Sequence, residues 1–186
     1  MSDDSQLIEE ALAGQPAAFG QLVLRYQDRL YNTMVRAVGH ADDARDVVQE
    51  ALVQAFVKLE TFRHKSAFYT WLYRIAFNVA ASISRRRRRT VSVEHAREAA
   101  GEEPVDRQGG PSEQIEQRER SRQVQQALAA LSEEHRVVLV LREMEGCCYE
   151  TIAEMLDLPV GTVRSRLHRA RLQLRDQLKE VLTVDR

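Results

Sequence analysis

Five arginines and no acidic residue fall between Thr162 and Arg175. A guanidinium is a permanently charged planar fork, able to bind phosphate or to grip the O6 and N7 edge of a guanine. On a helix turning about 100° per residue, Val163, Leu167, Ala170 and Leu174 share one face. Arg164, Ser165, His168 and Arg169 then lie on the open side, with Arg166 and Arg171 on the flanks. A basic face opposite an apolar one suits a nucleic-acid reader, although charged faces usually serve only to meet solvent. A second basic run, Arg85–Arg89, lies near the middle of the chain.

The stretch before the first arginine cluster supplies a scaffold for it. Tyr149, Ile152, Ala153 and Leu156 fall at helical spacing, and Asp157-Leu158-Pro159 breaks that helix because proline lacks an amide donor and restricts its predecessor. A second helix starts at about Val160. Short helix, tight turn and arginine-faced second helix make the helix-turn-helix plan, in which the second helix enters the major groove.

Enzyme chemistry finds no support. There are no paired carboxylates at a plausible site, no metal-ligand cluster and no phosphate-cradling glycine loop, so no catalytic residue, metal or cofactor is expected. The five histidines are scattered and are expected on the surface. Cys147 and Cys148, the two cysteines, are adjacent. They cannot staple distant segments or complete a zinc site, and are read as small buried packing residues in a reducing compartment. Met1-Ser-Asp-Asp begins no signal peptide, and no apolar run reaches the ~18 residues of a membrane span. A soluble, cytoplasmic protein without membrane insertion is expected.

The 186 residues carry a net charge of −1, which argues against coating nucleic acid through bulk charge. The distribution is uneven. Residues 1–90 hold 13 basic and 10 acidic side chains, 91–121 hold 4 and 8, and 122–186 hold 10 of each. Most of the chain outside the middle follows helical periodicity. Leu7, Ile8, Ala11 and Leu12 form a stripe ending at Gly14, and Pro16 opens a helix carrying Phe19, Leu22, Val23, Tyr26, Leu30 and Met34. Asp42 and Asp43 favour a helix start ahead of Ala44, Val47, Val48, Ala51, Leu52, Ala55, Phe56 and Leu59. Ser66 is read as the N-cap of a helix buried through Phe68, Leu72, Ile75 and Val79, with Trp71 leaning to the core. Residues 91–117, rich in Gly, Pro and acids, cannot bury enough surface to offset their ordering entropy. Beyond them come Val124, Leu128 and Leu131, then Ser132 as a cap, then Val137, Val138, Leu141 and Met144 up to Gly146. The expected fold is all-α: two small helical domains, 1–90 and 118–186, joined by a flexible acidic linker over 91–117.

Two strings of residues resemble a known family. Leu131-Ser-Glu-Glu-His-Arg, Leu141-Arg-Glu-Met-Glu-Gly, Tyr149-Glu-Thr-Ile-Ala and Val160-Gly-Thr-Val-Arg-Ser-Arg resemble region 4 of an extracytoplasmic-function sigma factor of the sigma-70 family. Asp46-Val-Val-Gln-Glu and the string from Phe62 to Asn78 resemble region 2. The resemblance implies a heat- or envelope-stress type factor that binds core RNA polymerase and directs it to promoters. Region 2 would read the −10 element and region 4 the −35 element.

It also implies roles. Thr162, Arg164, Ser165, Arg166, His168, Arg169 and Arg171 would meet −35 DNA, Arg169 at a base edge and Arg166 and Arg171 at phosphates. The loop residues Arg63, His64 and Lys65, with Tyr69, Arg74 and Asn78 on one side of the next helix, would meet −10 DNA, where an unstacked base needs a small pocket with aromatic or polar edges. Relatives often carry glycine where His64 stands. Arg85 and Arg86 would track phosphates. Asp46, Gln49 and Glu50 would contact the clamp coiled coil of the largest polymerase subunit, with the polymerase flap as a further contact of the chain. An anti-sigma factor is the implied regulatory partner. A stand-alone helix-turn-helix activator would leave Asp46–Glu50 and Phe62–Asn78 without purpose.

Overall fold

The computed structural model describes residues 3–91 and 122–184, with side chains over 3–87 and 122–179. The acidic segment expected as a linker lies outside the described residues, apart from Val91. The described residues are helical, with no strand among them. Helices α1 (Asp4–Leu12), α2 (Pro16–Val38), α3 (Ala41–Val57) and α4 (Phe68–Val91) build the N-terminal half, with a 3-10 turn at Leu59–Thr61. The C-terminal half holds α5 (122–129), α6 (Glu133–Leu139), a π-helical turn over Val140–Met144, α7 (Tyr149–Leu156) and α8 (Val160–Val184).

Local chemistry accounts for most boundaries. Pro16 sits in the first turn of α2, and Gly39 ends that helix in the left-handed region at φ 91°. Asp42 and Asp43 occupy the first turn of α3, and buried Asp43 pairs with Arg87 of α4. Leu7, Leu22, Leu30, Met34, Val47, Ala51 and Leu72 are all sealed from solvent, so the stripes of α1 to α4 converge on one core. Trp71 packs beside Phe62 and Phe68, with ring centroids 5.3 and 5.7 Å away.

Several expectations need correction. Helix α4 starts at Phe68 with its ladder opening at Trp71 N–H to Ala67 C=O, so Ala67 takes the capping place expected for Ser66. Ser132 does cap α6 by position, but its side chain makes no capping bond. Leu12, Phe56, Val124 and Met144 are exposed. Leu12 closes a helix end and Val124 lies in the first described turn of α5, while Phe56 stacks on Phe19 at 5.1 Å from the outside. Met144 turns out because the π-helical ladder, with Glu145 N–H bonded to Val140 C=O, shifts the α register. His135 is buried, its Nδ1 2.8 Å from Gln173 Oε1, rather than on the surface. Cys147 is buried as expected, and Cys148 is exposed.

The two halves pack together, α4 against α7 and α2 against α6 and the π turn. Charged residues of the C-terminal half reach across, among them Arg136, Glu145 and Glu133, which accepts from Ser84 Oγ at 3.0 Å. Arg136 donates from Nε to Ala37 C=O at 2.7 Å and from Nη2 to Val38 C=O at 3.1 Å, capping the orphan carbonyls at the end of α2. A Cβ at Gly39 would meet that guanidinium at 3.3 Å, so Gly39 serves both the turn and the approach. The Glu145 side chain, 8% exposed on a half-buried residue, accepts from Arg29 Nε at 2.8 Å, Thr33 Oγ1 at 2.6 Å and Tyr69 O–H at 3.2 Å. Thr33 has one proton to give. The charged carboxylate is its closest acceptor, which leaves the hydroxyl oxygen to accept from Tyr73 at 3.0 Å. Arg29 also lies over the Tyr69 ring, 4.6 Å from its centroid. Cys147 Sγ sits 3.7 Å from the Tyr69 oxygen, and burial pushes its thiol pKa up.

Leu72→Ala should destabilise the fold by about 2–5 kcal/mol through transfer and cavity terms, whereas Leu172→Ala, at a partly exposed site, should stay within about 0.5 kcal/mol; denaturant unfolding followed by circular dichroism measures both. Because a raised pKa leaves less thiolate at a given pH, iodoacetamide at mildly alkaline pH should alkylate Cys148 about tenfold faster than Cys147, read by fragment mass spectrometry of their shared peptide.

Candidate nucleic-acid interface

The helix-turn-helix is built from the inside out. Ile152, Ala153 and Met155 of α7 are buried, together with Val163, Leu167 and Ala170 of α8. Asp157 terminates α7 in the left-handed region, at φ 54°, and Leu158 N–H closes the turn on Ala153 C=O at 2.9 Å. Aspartate tolerates this conformation better than most residues. Pro159 C=O then accepts from Thr162 and Val163 N–H as α8 begins.

With that face pinned, Arg164, Ser165, His168 and Arg169 are all exposed on the opposite side of α8. The wheel and the structure agree. Ser165 Oγ folds back onto Thr162 C=O at 3.0 Å, and Thr162 is half-buried at the helix start. The flanking arginines are held by acids. Arg166 pairs with Glu134 at 2.7 Å, and Arg171 grips Glu143 Oε1 through Nε at 3.0 Å and Nη2 at 2.7 Å. Two guanidinium groups approach the Tyr149 ring, Arg142 at 5.0 Å and Arg164 at 5.8 Å from its centroid.

In the N-terminal half, Arg63, His64 and Lys65 are exposed on the loop ahead of α4. His64 adopts φ 53°, so the backbone keeps the left-handed conformation that glycine would take without strain. Its ring lies 4.6 Å from Phe62, which meets Phe68 edge-on at 5.8 Å. The loop is thus tied to the core by aromatic contact while its cations point outward. Arg85 and Arg86 are exposed near the far end of α4.

Tyr69 does not join Arg74 and Asn78 on one side of α4. Five and nine residues separate it from them, roughly 140° and 180° of helix rotation, and its hydroxyl turns instead into the Glu145 cluster, where burial raises its pKa. Arg74 and Asn78 are exposed, but in this arrangement they look toward the C-terminal half. Arg74 lies 3.7 Å from Asp157 of the helix-turn-helix turn, and Asn78 lines a groove with Leu158 and Arg166.

Asp46, Gln49 and Glu50 stand exposed on α3, away from buried Val47 and Ala51. Gln54 Nε2 donates to Glu50 at 2.8 Å, steadying the carboxylate. The same helix face continues into Val53 and Val57, 60% and 73% exposed, which the sequence reading passed over. Their spacing from Glu50, three and seven residues, was the available signal. Glu145 and Arg136 were also missed as cross-domain groups, since nothing local marks their distant partners.

Comparison with known proteins agrees with this architecture. Residues 22–90 match the Sigma-70 region 2 family model, and residues 121–174 match the Sigma-70, region 4 model. The chain is 41% identical over 184 residues to the RNA polymerase sigma-H factor of Pseudomonas aeruginosa, covering 96% of this chain and 95% of that protein. It is 39% identical over 188 residues to the ECF RNA polymerase sigma-E factor of Escherichia coli K12, covering 96% of each. Among solved structures, the sigma factor RpoE in complex with the anti-sigma factor NepR from Bartonella quintana superposes with a TM-score of 0.73 at 28% identity, covering 87% of this chain and 96% of that one. CnrH in complex with the cytosolic domain of CnrY gives 0.68 at 29%, covering 95% and 97%. Two region models in order, and full-length identity near two residues in five, place the protein in the extracytoplasmic-function sigma factors of RNA polymerase, within the sigma-70 family.

Proposed function

We propose that this sigma factor engages core polymerase through the exposed Asp46, Gln49 and Glu50 face of α3, and reads promoters at two points. The observation that carries the −35 assignment is the division of α8 into a buried Val163, Leu167, Ala170 face and an exposed Arg164, Ser165, His168, Arg169 face. On the exposed face Arg169 reads a base edge and Arg164 supports it, while Thr162 at the helix start meets phosphate. Arg166 and Arg171 reach phosphates by exchanging Glu134 and Glu143 for DNA, a trade between two anions.

The −10 element falls to the loop residues Arg63, His64 and Lys65, to Arg74 and Asn78, and to Arg85 and Arg86 along the backbone. Chemistry stays with the polymerase; this chain supplies positioning and sequence choice. The working domains are 1–90 and 118–186, with 91–117 as the tether that lets the two readers span one promoter. Polymerase is a cytoplasmic enzyme, and no described helix is long and apolar enough to cross a membrane, so the site of action is the cytoplasm. An anti-sigma factor is the proposed regulator, since the superposing RpoE structure is a complex with one.

Run-off transcription tests the reading. The chain with core polymerase should give discrete transcripts from a promoter library, and the chain alone should shift none of the same DNA. Arg169→Ala should lower −35-dependent transcription by about tenfold, the loss of one bidentate contact, with core affinity unchanged. Conversely, reversing charge at Asp46 and Glu50 to lysine should weaken core binding by at least about tenfold, measured by fluorescence anisotropy. A chain that binds a specific operator without polymerase would sink the assignment.

A further inference from the structure

We propose that Tyr149 is a positioning residue for the −35 reader, its ring holding the Arg164 guanidinium in place for DNA. The inference rests on the −35 reading proposed above and adds to it a residue from the first helix of the motif. Tyr149 opens α7 and is half-buried, packed against the apolar core. Arg142 lies 5.0 Å from the ring centroid, and its Nη1 is already bonded to Cys147 C=O at 2.8 Å. Core packing and an anchored cation therefore fix the ring. Arg164, from the start of α8, lies 5.8 Å from the same centroid. That is within the range at which an aromatic quadrupole attracts a guanidinium.

The ring supplies Arg164 with a support of its own kind. Arg166 and Arg171 are gripped by the carboxylates of Glu134 and Glu143, whereas Arg164 rests beside Tyr149. Glu150 also attracts Arg164, but that carboxylate is fully exposed, so water and salt screen the pull. The Tyr149 hydroxyl reaches toward Arg171, yet the bond to Glu143 is what chiefly raises that guanidinium's pKa. The role therefore falls to the ring and to Arg164. An unsupported arginine loses much side-chain freedom when it docks, and a contact that restricts it beforehand lowers that loss. Residues near the N-terminus of the second helix carry the base contacts in this motif, while the first helix crosses the DNA backbone. Arg164 is the fifth residue of α8 and stands roughly 140° around the helix from Arg169. The two arginines thus approach DNA from different sides, and Tyr149 keeps Arg164 on the side next to the start of α7.

The test is a double-mutant cycle in the full chain with core polymerase, on a promoter recovered from the run-off library. Tyr149→Leu, Arg164→Ala and the pair together are scored by the concentration that gives half-maximal transcript. Tyr149→Leu should raise that concentration about threefold when Arg164 is present, and leave it unchanged once Arg164 is alanine. Tyr149→Phe, which keeps the ring, should match the wild type. An equal cost of Tyr149→Leu in both backgrounds overturns the positioning role and leaves the −35 reading standing. So does a Tyr149→Phe loss as large as that of Tyr149→Leu, since the hydroxyl would then carry the effect. If Arg164→Ala itself costs nothing, or the library yields no promoter, the −35 reading fails and the positioning role with it. Far-ultraviolet circular dichroism checks the fold, and should Tyr149→Leu lose helicity, Tyr149→Met takes its place in the same cycle.

Discussion

A carboxylate leaves water only where donors replace it, and Glu145 meets that condition only when the two halves of the chain are together. Much of the arrangement depends on this constraint. The π turn at Val140–Met144 sets the backbone from which Glu145 extends, and Gly146 at φ 68° turns the chain into α7 directly afterwards. Arg142 Nη1 bonds Cys147 C=O at 2.8 Å, which stiffens the same bend. On the other side, Thr33 and Tyr73 are buried in the core and cannot move without disturbing it. The stiffened bend therefore meets at least one donor, Thr33, that the core holds in place.

Helix α4 shows how a single element can serve three tasks. One face carries Leu72, Ala76 and Val79 into the core. Another presents Arg74 and Asn78 toward the C-terminal half. Its first turn anchors the aromatic loop through Phe68 and Trp71. A helix has surface for all three because successive residues rotate by about 100°. The three tasks therefore fall on faces that do not overlap.

On α8 the arginines differ by what holds them. Arg166 and Arg171 carry carboxylate partners from α6 and the π turn, whereas Arg164 and Arg169 stand exposed on the reading face. Surface pairs of this kind contribute little to stability, about 0–1 kcal/mol. Their effect is to preset the direction of each guanidinium along the helix flank at small cost.

Periodicity by itself determined the helices, the buried stripes of α2, α4 and α8, and the open arginine face, because all of these depend on residues within one or two turns of each other. Glycine and proline chemistry fixed the breaks at Gly39 and Pro159 for the same local reason. The motif strings were legible enough to indicate the family, since region 2 and region 4 each carry a contiguous signature. Local rules failed where partners were distant. Nothing near Tyr69 in the sequence marks Glu145, 76 residues away, as the acceptor of its hydroxyl. Nothing local to Arg136 marks the carbonyls of Ala37 and Val38, which it caps. His135 and Met144 exchanged their expected surroundings through packing and the π turn. The sequence determined the elements and the chemistry on their faces. Only the tertiary structure decided which faces meet, because that choice depends on satisfying charged and polar groups that no local spacing brings together.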